Sequence, residues 1–222
     1  MKWILLILLI LGSMTIYGQE RILSKNRTYV YLAIYRDSIN NILLQDTIRF
    51  LTTKKIKKYL FSANQTIVYW KYTNLITDSL LKTKIHNFTW GKIEKSGAIE
   101  DEIGYWIHPP RYNQYWITEI APFPSVNLPC EKNKKYQSIL GIGKDCQEWS
   151  NLIIKWNYEI VDKVTMKIGL NNYECWVIRS ESESNLGKSF LVTIFNEKIG
   201  FVEFHYNFYN KTKIDIELVR IE

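Results

Sequence analysis

From residue 152 to the C-terminus, apolar and polar side chains alternate in short runs, and the polar breaks between runs are too short for a crossover. The runs cover 155–161, 164–168, 174–179, 189–195, 200–206 and 211–218. The breaks have turn chemistry: Asp162-Lys163, Gly169-Leu170-Asn171-Asn172, the polar stretch 180–188, Asn196-Glu197-Lys198 and Asn210-Lys211. Parallel neighbours need crossovers of roughly a dozen residues or more, so these strands must pair as antiparallel hairpins in a meander. In the last run Thr212, Ile214, Ile216 and Leu218 share one face while Lys213, Asp215 and Glu217 share the other, which predicts one buried and one wetted side. A twisted sheet of this many strands curls. The expected fold is therefore mainly β: an antiparallel meander bent into a half-barrel or incomplete barrel, or folded over as a sandwich.

The N-terminal half repeats the pattern less cleanly, with strands predicted over 28–36, 47–52, 57–62, 65–72, 84–90 and 104–107. At most one or two short helices fit; the one nameable stretch is 74–83, where Leu75, Ile76, Leu80 and Leu81 have helical spacing. The middle breaks the alternation. All five prolines lie between Pro109 and Pro129, in Trp106-Ile-His-Pro-Pro-Arg111 and Ala121-Pro-Phe-Pro-Ser-Val-Asn-Leu-Pro129. Proline lacks the ladder donor and biases the residue before it toward extended backbone. This segment reads as a stiff strap with one more strand at 114–120, placed to cross the rim of the sheet or cover its open face. No linker divides the chain, so residues 19–222 are expected to form a single domain.

Residues 1–18 have the layout of a secretory signal peptide: Lys2, an aliphatic run from Ile4 to Leu11, and small or polar residues through Gly18. The run is too short to span a bilayer, which takes about 20 apolar residues. Cleavage after Gly18 would make Gln19 the first residue of an exported protein, periplasmic or extracellular. No cysteine stands at the end of the run, so no lipid anchor through an N-terminal Cys is expected, and membrane contact would be peripheral. Lys2 leaves with the signal, lowering the formal net charge of +7 by one. The remaining basic residues are dispersed, unlike a nucleic-acid binder. The densest cluster, Lys54-Lys55-Ile56-Lys57-Lys58, reads as a solvated face, with contact to an anionic lipid or polysaccharide surface as the other reading. In an oxidising compartment the three cysteines leave one over. Cys130 and Cys146 flank a polar loop, and a bridge between them would stabilise by up to roughly 3 kcal/mol in the chain-entropy model. Cys175, in a strand, would remain a buried free thiol.

Catalytic signatures are sparse. Histidine occurs only at His86, His108 and His205. His108 alone neighbours other functional types: Arg111, Trp106 and Glu119. A proline-stiffened His108–Arg111 pair could present an imidazole and a guanidinium to a carboxylate or phosphate, or else bond backbone carbonyls and fix the strap to the sheet. Paired cysteines at metal-ligand spacing are missing, so no metal or other cofactor is expected. Gly141-Ile142-Gly143 lacks the context of a phosphate loop, no Gly-x-Ser-x-Gly occurs, and Glu100-Asp101-Glu102 reads as a solvated turn. Seven tryptophans follow the signal, and aromatic residues suit a β core as well as the lining of a lipid or sugar site.

Trp106-Ile-His-Pro-Pro-Arg111, Glu119-Ile-Ala-Pro-Phe-Pro124 and Phe195-Asn-Glu-Lys-Ile-Gly-Phe-Val202, followed by the 214–218 strand, together resemble a group of bacterial secreted or periplasmic β-rich proteins without an assigned activity. The resemblance covers residues 104–222 and supplies no catalytic residues. More loosely, the architecture is similar to half-barrel envelope proteins that carry lipoproteins or lipids. Together these readings predict a non-enzymatic envelope protein. It would bind an apolar or amphiphilic ligand, or a partner chain, on a concave sheet near Trp106, His108, Arg111, Trp116 and Glu119. The alternative is a structural or assembly factor with a filled core.

Overall fold

The computed structural model describes residues 21–23, 26–58, 63–74, 90–143 and 149–222. Its strands in chain order are β1 (Thr28–Arg36), β2 (Ile42–Lys57), β3 (Gln65–Tyr72), β4 (Ile93–Glu100), β5 (Gly104–Ile107), β6 (Ser125–Asn127), β7 (Lys135–Gly141), β8 (Ile153–Ile168), β9 (Asn171–Ser184), β10 (Gly187–Asn196), β11 (Gly200–Asn207) and β12 (Lys213–Ile221). They form one 12-stranded sheet in the order 6-5-4-3-2-1-12-11-10-9-8-7. Every pairing is antiparallel. The first and last strands lie side by side, with Ala33 opposite Ile216. The sheet curls into a nearly closed barrel whose one seam separates β6 from β7.

Side chains, not a ladder, bridge that seam. The Tyr136 hydroxyl donates to the Ser125 carbonyl at 2.8 Å, and Lys134 Nζ donates to the carbonyls of Leu128 and Pro129 at 3.1 and 2.9 Å. Alternation decides which side chains enter the barrel. Ile214 and Ile216 are fully buried on β12, and Tyr29, Tyr31, Ile48, Phe50, Trp70, Ile154, Ile178 and Phe204 complete the inner wall. The strap, residues 108–124, runs through the concavity: Tyr115, Ile117, Ala121 and Phe123 are buried among these residues, with Phe123 at 4.7 Å from Trp156.

Three expectations need correction. The strap segment read as a strand is a 3-10 helix, Asn113–Ile120. It has no strand beside it to share a ladder, and a repeat of three residues per turn buries Gln114, Ile117 and Ile120 while leaving Trp116 and Glu119 half-buried on another side. Asp162-Lys163 does not turn the chain either. β8 continues through it, with Asp162 opposite Val177 and Lys163 opposite Trp176, and the register with β9 shifts at the unpaired Val161 just before, a bulge rather than a turn. The bridge from Cys130 to Cys146 is not formed: Cys130 is a buried free thiol, and burial with the nearby Glu197 carboxylate pushes it up to about 12. Cys146 lies outside the described residues. Cys175 is a buried free thiol, as expected. The signal segment, all but Asn74 of the helix read over 74–83, all but Trp90 of the strand read over 84–90, and residues 59–62 also lie outside the described residues.

Candidate functional site

The strap leaves the sheet under close control. β5 pairs with β4 only from Ala98 to Glu100, and past that point single hydrogen bonds guide the chain. The His108 N–H donates to the Gly97 carbonyl at 3.1 Å, and Trp70 Nε1 donates to the His108 carbonyl at 3.0 Å. Pro109 and Pro110 then carry the backbone, without donors of their own, to Arg111.

Arg111 is the centre of an ionic clamp in which Glu94 is buried and Arg111 and Glu119 are half-buried. Its backbone N–H donates to Glu94 Oε2 at 2.9 Å, its Nε to Glu94 Oε1 at 3.0 Å and its Nη1 to Glu119 Oε2 at 3.1 Å. The Tyr72 hydroxyl also donates to Glu94 Oε2. Glu94 is completely enclosed, and only this set of donors makes an ionised carboxylate tolerable there. Burial works against the Arg111 charge, but the carboxylates of Glu119 and Glu94 more than offset it and strengthen the protonated form. Burial also raises Glu119, although Arg111 pulls it back. The 3-10 helix makes the Glu119 contact: it returns Glu119 toward Arg111, while the Thr118 hydroxyl donates to the Pro110 carbonyl at 2.6 Å.

The remaining predicted site residues lie around this clamp in two places. Trp106 meets the His108 ring edge-on at 4.5 Å, and Phe123 meets it at 5.1 Å from another side. Trp116 points elsewhere and stacks on the buried Trp149 at 4.5 Å. Arg111, Glu119, His108 and Trp106 thus form one neighbourhood, and Trp116 belongs to the packing of the core. Missing from the sequence reading were Glu94 and Tyr72, together with Asp46, a second buried carboxylate that receives the Asn74 N–H at 2.8 Å and the Tyr115 hydroxyl at 3.3 Å. A carboxylate on the inward parity of a strand is the signal that could have revealed Asp46.

His108 is held neutral. Burial first, and then the Arg111 charge, lower it to about 3. Its unfolded-state value is near 6.5, so between these limits the unfolded chain binds a proton that the folded chain refuses. Stability should therefore fall as pH drops from about 6.5 toward 3, with a slope of up to about 1.4 kcal/mol per pH unit from this group. His108→Gln should remove that component. Urea midpoints of the two proteins, measured from pH 7 to pH 4, check this: their difference should change with pH, and a constant difference would count against a neutral His108.

On the outer side of the clamp lies a groove of about 270 Å³, lined by Lys57, Lys95, Ser96, Thr66, His108 and Arg111 among others. Gly97, also at its wall, accommodates Gln65, whose Oε1 would stand 2.1 Å from any added Cβ. Among the described residues no group of three or more His, Cys, Asp and Glu side chains could hold a metal ion.

Fold and site together define a class: a single-sheet antiparallel barrel filled by its own strap and held by an internal carboxylate–guanidinium clamp. Among solved structures, a protein of Parabacteroides distasonis provisionally assigned as a lipoprotein matches at a TM-score of 0.50 and 10% identity, covering 90% of this chain and 96% of that one. A Bacteroides fragilis protein provisionally assigned as exported, with a YmcC-like fold, matches at 0.48 and 10%, covering 90% and 96%. The hypothetical lipoprotein YmcC of Escherichia coli matches at 0.38 and 7%, covering 97% and 96%. The likeness to the first of these is one of fold. No protein-family model and no curated protein matches the sequence.

Proposed function

We propose that this chain is a non-enzymatic protein of the bacterial envelope, exported by its first eighteen residues, whose barrel is a rigid, self-filled mount that engages partners through its outer surface. One observation carries this reading: the strap occupies the concavity where a half-barrel carrier would hold its cargo, and a clamp anchored on the buried Glu94 fastens it there. The N-terminal run and the fold shared with the Parabacteroides protein support the envelope location. An amphiphile carrier is the second reading. In its favour is a cleft of about 450 Å³ at one mouth of the barrel, where Ile22, Tyr105, Leu128 and Phe195 face Glu100 and Glu197.

Native mass spectrometry of the protein released from envelopes separates the two. The expected mass is that of the bare chain beginning at Gln19. A lipid retained in stoichiometric amount would overturn the filled-mount reading in favour of the carrier.

A further inference from the structure

The two edge strands of the sheet are protected very differently. β6 is three residues long and stands between Pro124 and Pro129, so little of its ladder is open to another chain. β7 is seven residues long, and from Gln137 to Gly141 it has no charge and no proline. It has no bulge either, since its register with β8 is constant from Lys135 opposite Glu159 to Gly141 opposite Ile153. The Ile160 N–H donates to the Lys134 carbonyl at 3.0 Å and the Ile142 N–H to the Leu152 carbonyl at 2.8 Å, so the even-numbered residues of β7 bond to β8. The N–H and C=O groups of Gln137, Ile139 and Gly141 therefore point away from β8. No hydrogen bond among the described residues occupies them, and the side chains that bridge the seam, Lys134 and Tyr136, lie at the other end of the strand. Beside this open backbone the outer face is apolar. Ile139 is 68% exposed, and Ile153, its diagonal neighbour on the same face, is 65% exposed.

We infer that β7 is the edge at which a second copy of this chain docks, antiparallel and across a twofold axis, so that two barrels share one continuous sheet. The strand is self-complementary. An axis through Ile139 places Ile139 opposite its own copy, Gln137 opposite Gly141 and Lys135 opposite Gly143, so no charge faces a like charge. Each of these pairs exchanges both backbone hydrogen bonds, because the odd-numbered residues are the ones that face outward. Ile139 and Ile153 of both copies then meet as one apolar strip on the outer face. An extended segment of another protein would satisfy the same backbone groups, but the match of each isoleucine with its own copy favours the second chain.

Sedimentation velocity of the mature protein over a wide concentration range tests the interface. A reversible monomer–dimer equilibrium that closes at two copies is expected. Ile139→Lys should raise the dimer dissociation constant about a hundredfold or more, because two like charges would meet at the axis. Ile139→Pro should raise it about tenfold or more, because it removes a donor at the axis while sparing the ladder with β8, to which this residue does not donate. Unchanged far-UV circular dichroism would show that the variants are folded. Lysine is at home on an exposed edge, so the lysine variant decides the matter if the proline variant does not fold. Monomers at every concentration overturn the second copy and leave the edge to a strand of another protein. A dimer indifferent to the substitutions, or growth beyond two copies, also overturns the inference. The filled-mount reading would survive that failure, because the absence of a retained lipid does not depend on how many chains associate.

Discussion

Glu94→Gln should destabilise the protein by about 3–5 kcal/mol, as expected when one member of a buried ion pair is removed. Glu94 has no exposed surface and takes hydrogen bonds from Arg111 twice and from Tyr72. The neutral amide fills the same space, so packing is nearly unchanged. It turns one acceptor into a donor facing Tyr72 or Arg111, and it leaves the guanidinium with Glu119 alone. The Glu94→Gln/Arg111→Met pair separates lost attraction from an abandoned charge: the double variant should be less destabilised than the sum of the two singles. Urea denaturation of all four proteins reads the cycle. Simple additivity would show that the clamp is not a coupled unit.

Trp70→Ala should cost a similar amount, about 3–5 kcal/mol, for a different reason. Trp70 is fully buried, packs on Phe50 at 4.7 Å and on Tyr31 at 6.0 Å, and donates to the His108 carbonyl. Truncation opens a void at the centre of the inner wall and frees the point where the strap enters the barrel. Trp70→Phe keeps most of the volume and loses the donor, so it should cost clearly less. If the two variants were equally destabilised, the hydrogen bond to the strap would outweigh the packing.

Much of the barrel was legible because alternation is strongest where strands have a neighbour on each side and one face in the core. β1, β3 and β5 fall where the pattern put them, β9 to β11 contain the predicted runs, and β12 begins two residues later than the run predicted over 211–218. β7 escaped because it is an edge strand whose side chains are mostly exposed, so its sequence looks like a polar loop. β4 escaped for the opposite reason. Its inward position Glu94 is charged, and an ion pair supplied by a segment seventeen residues away cannot be seen in a local pattern. The prolines marked the strap, and with it Arg111 and Glu119. They could not show that Gln114–Ile120 would coil, because the absence of a pairing partner is a tertiary fact.

The adjacency of Thr28–Arg36 and Lys213–Ile221 has a kinetic consequence. A polypeptide synthesised from its amino end delivers one member of this pair almost at the start and the other nearly at the finish. Until the late strand arrives, the early one has an open flank, and the cylinder cannot zip shut. Contacts of such long sequence separation slow folding, so closure of the cylinder is a late event.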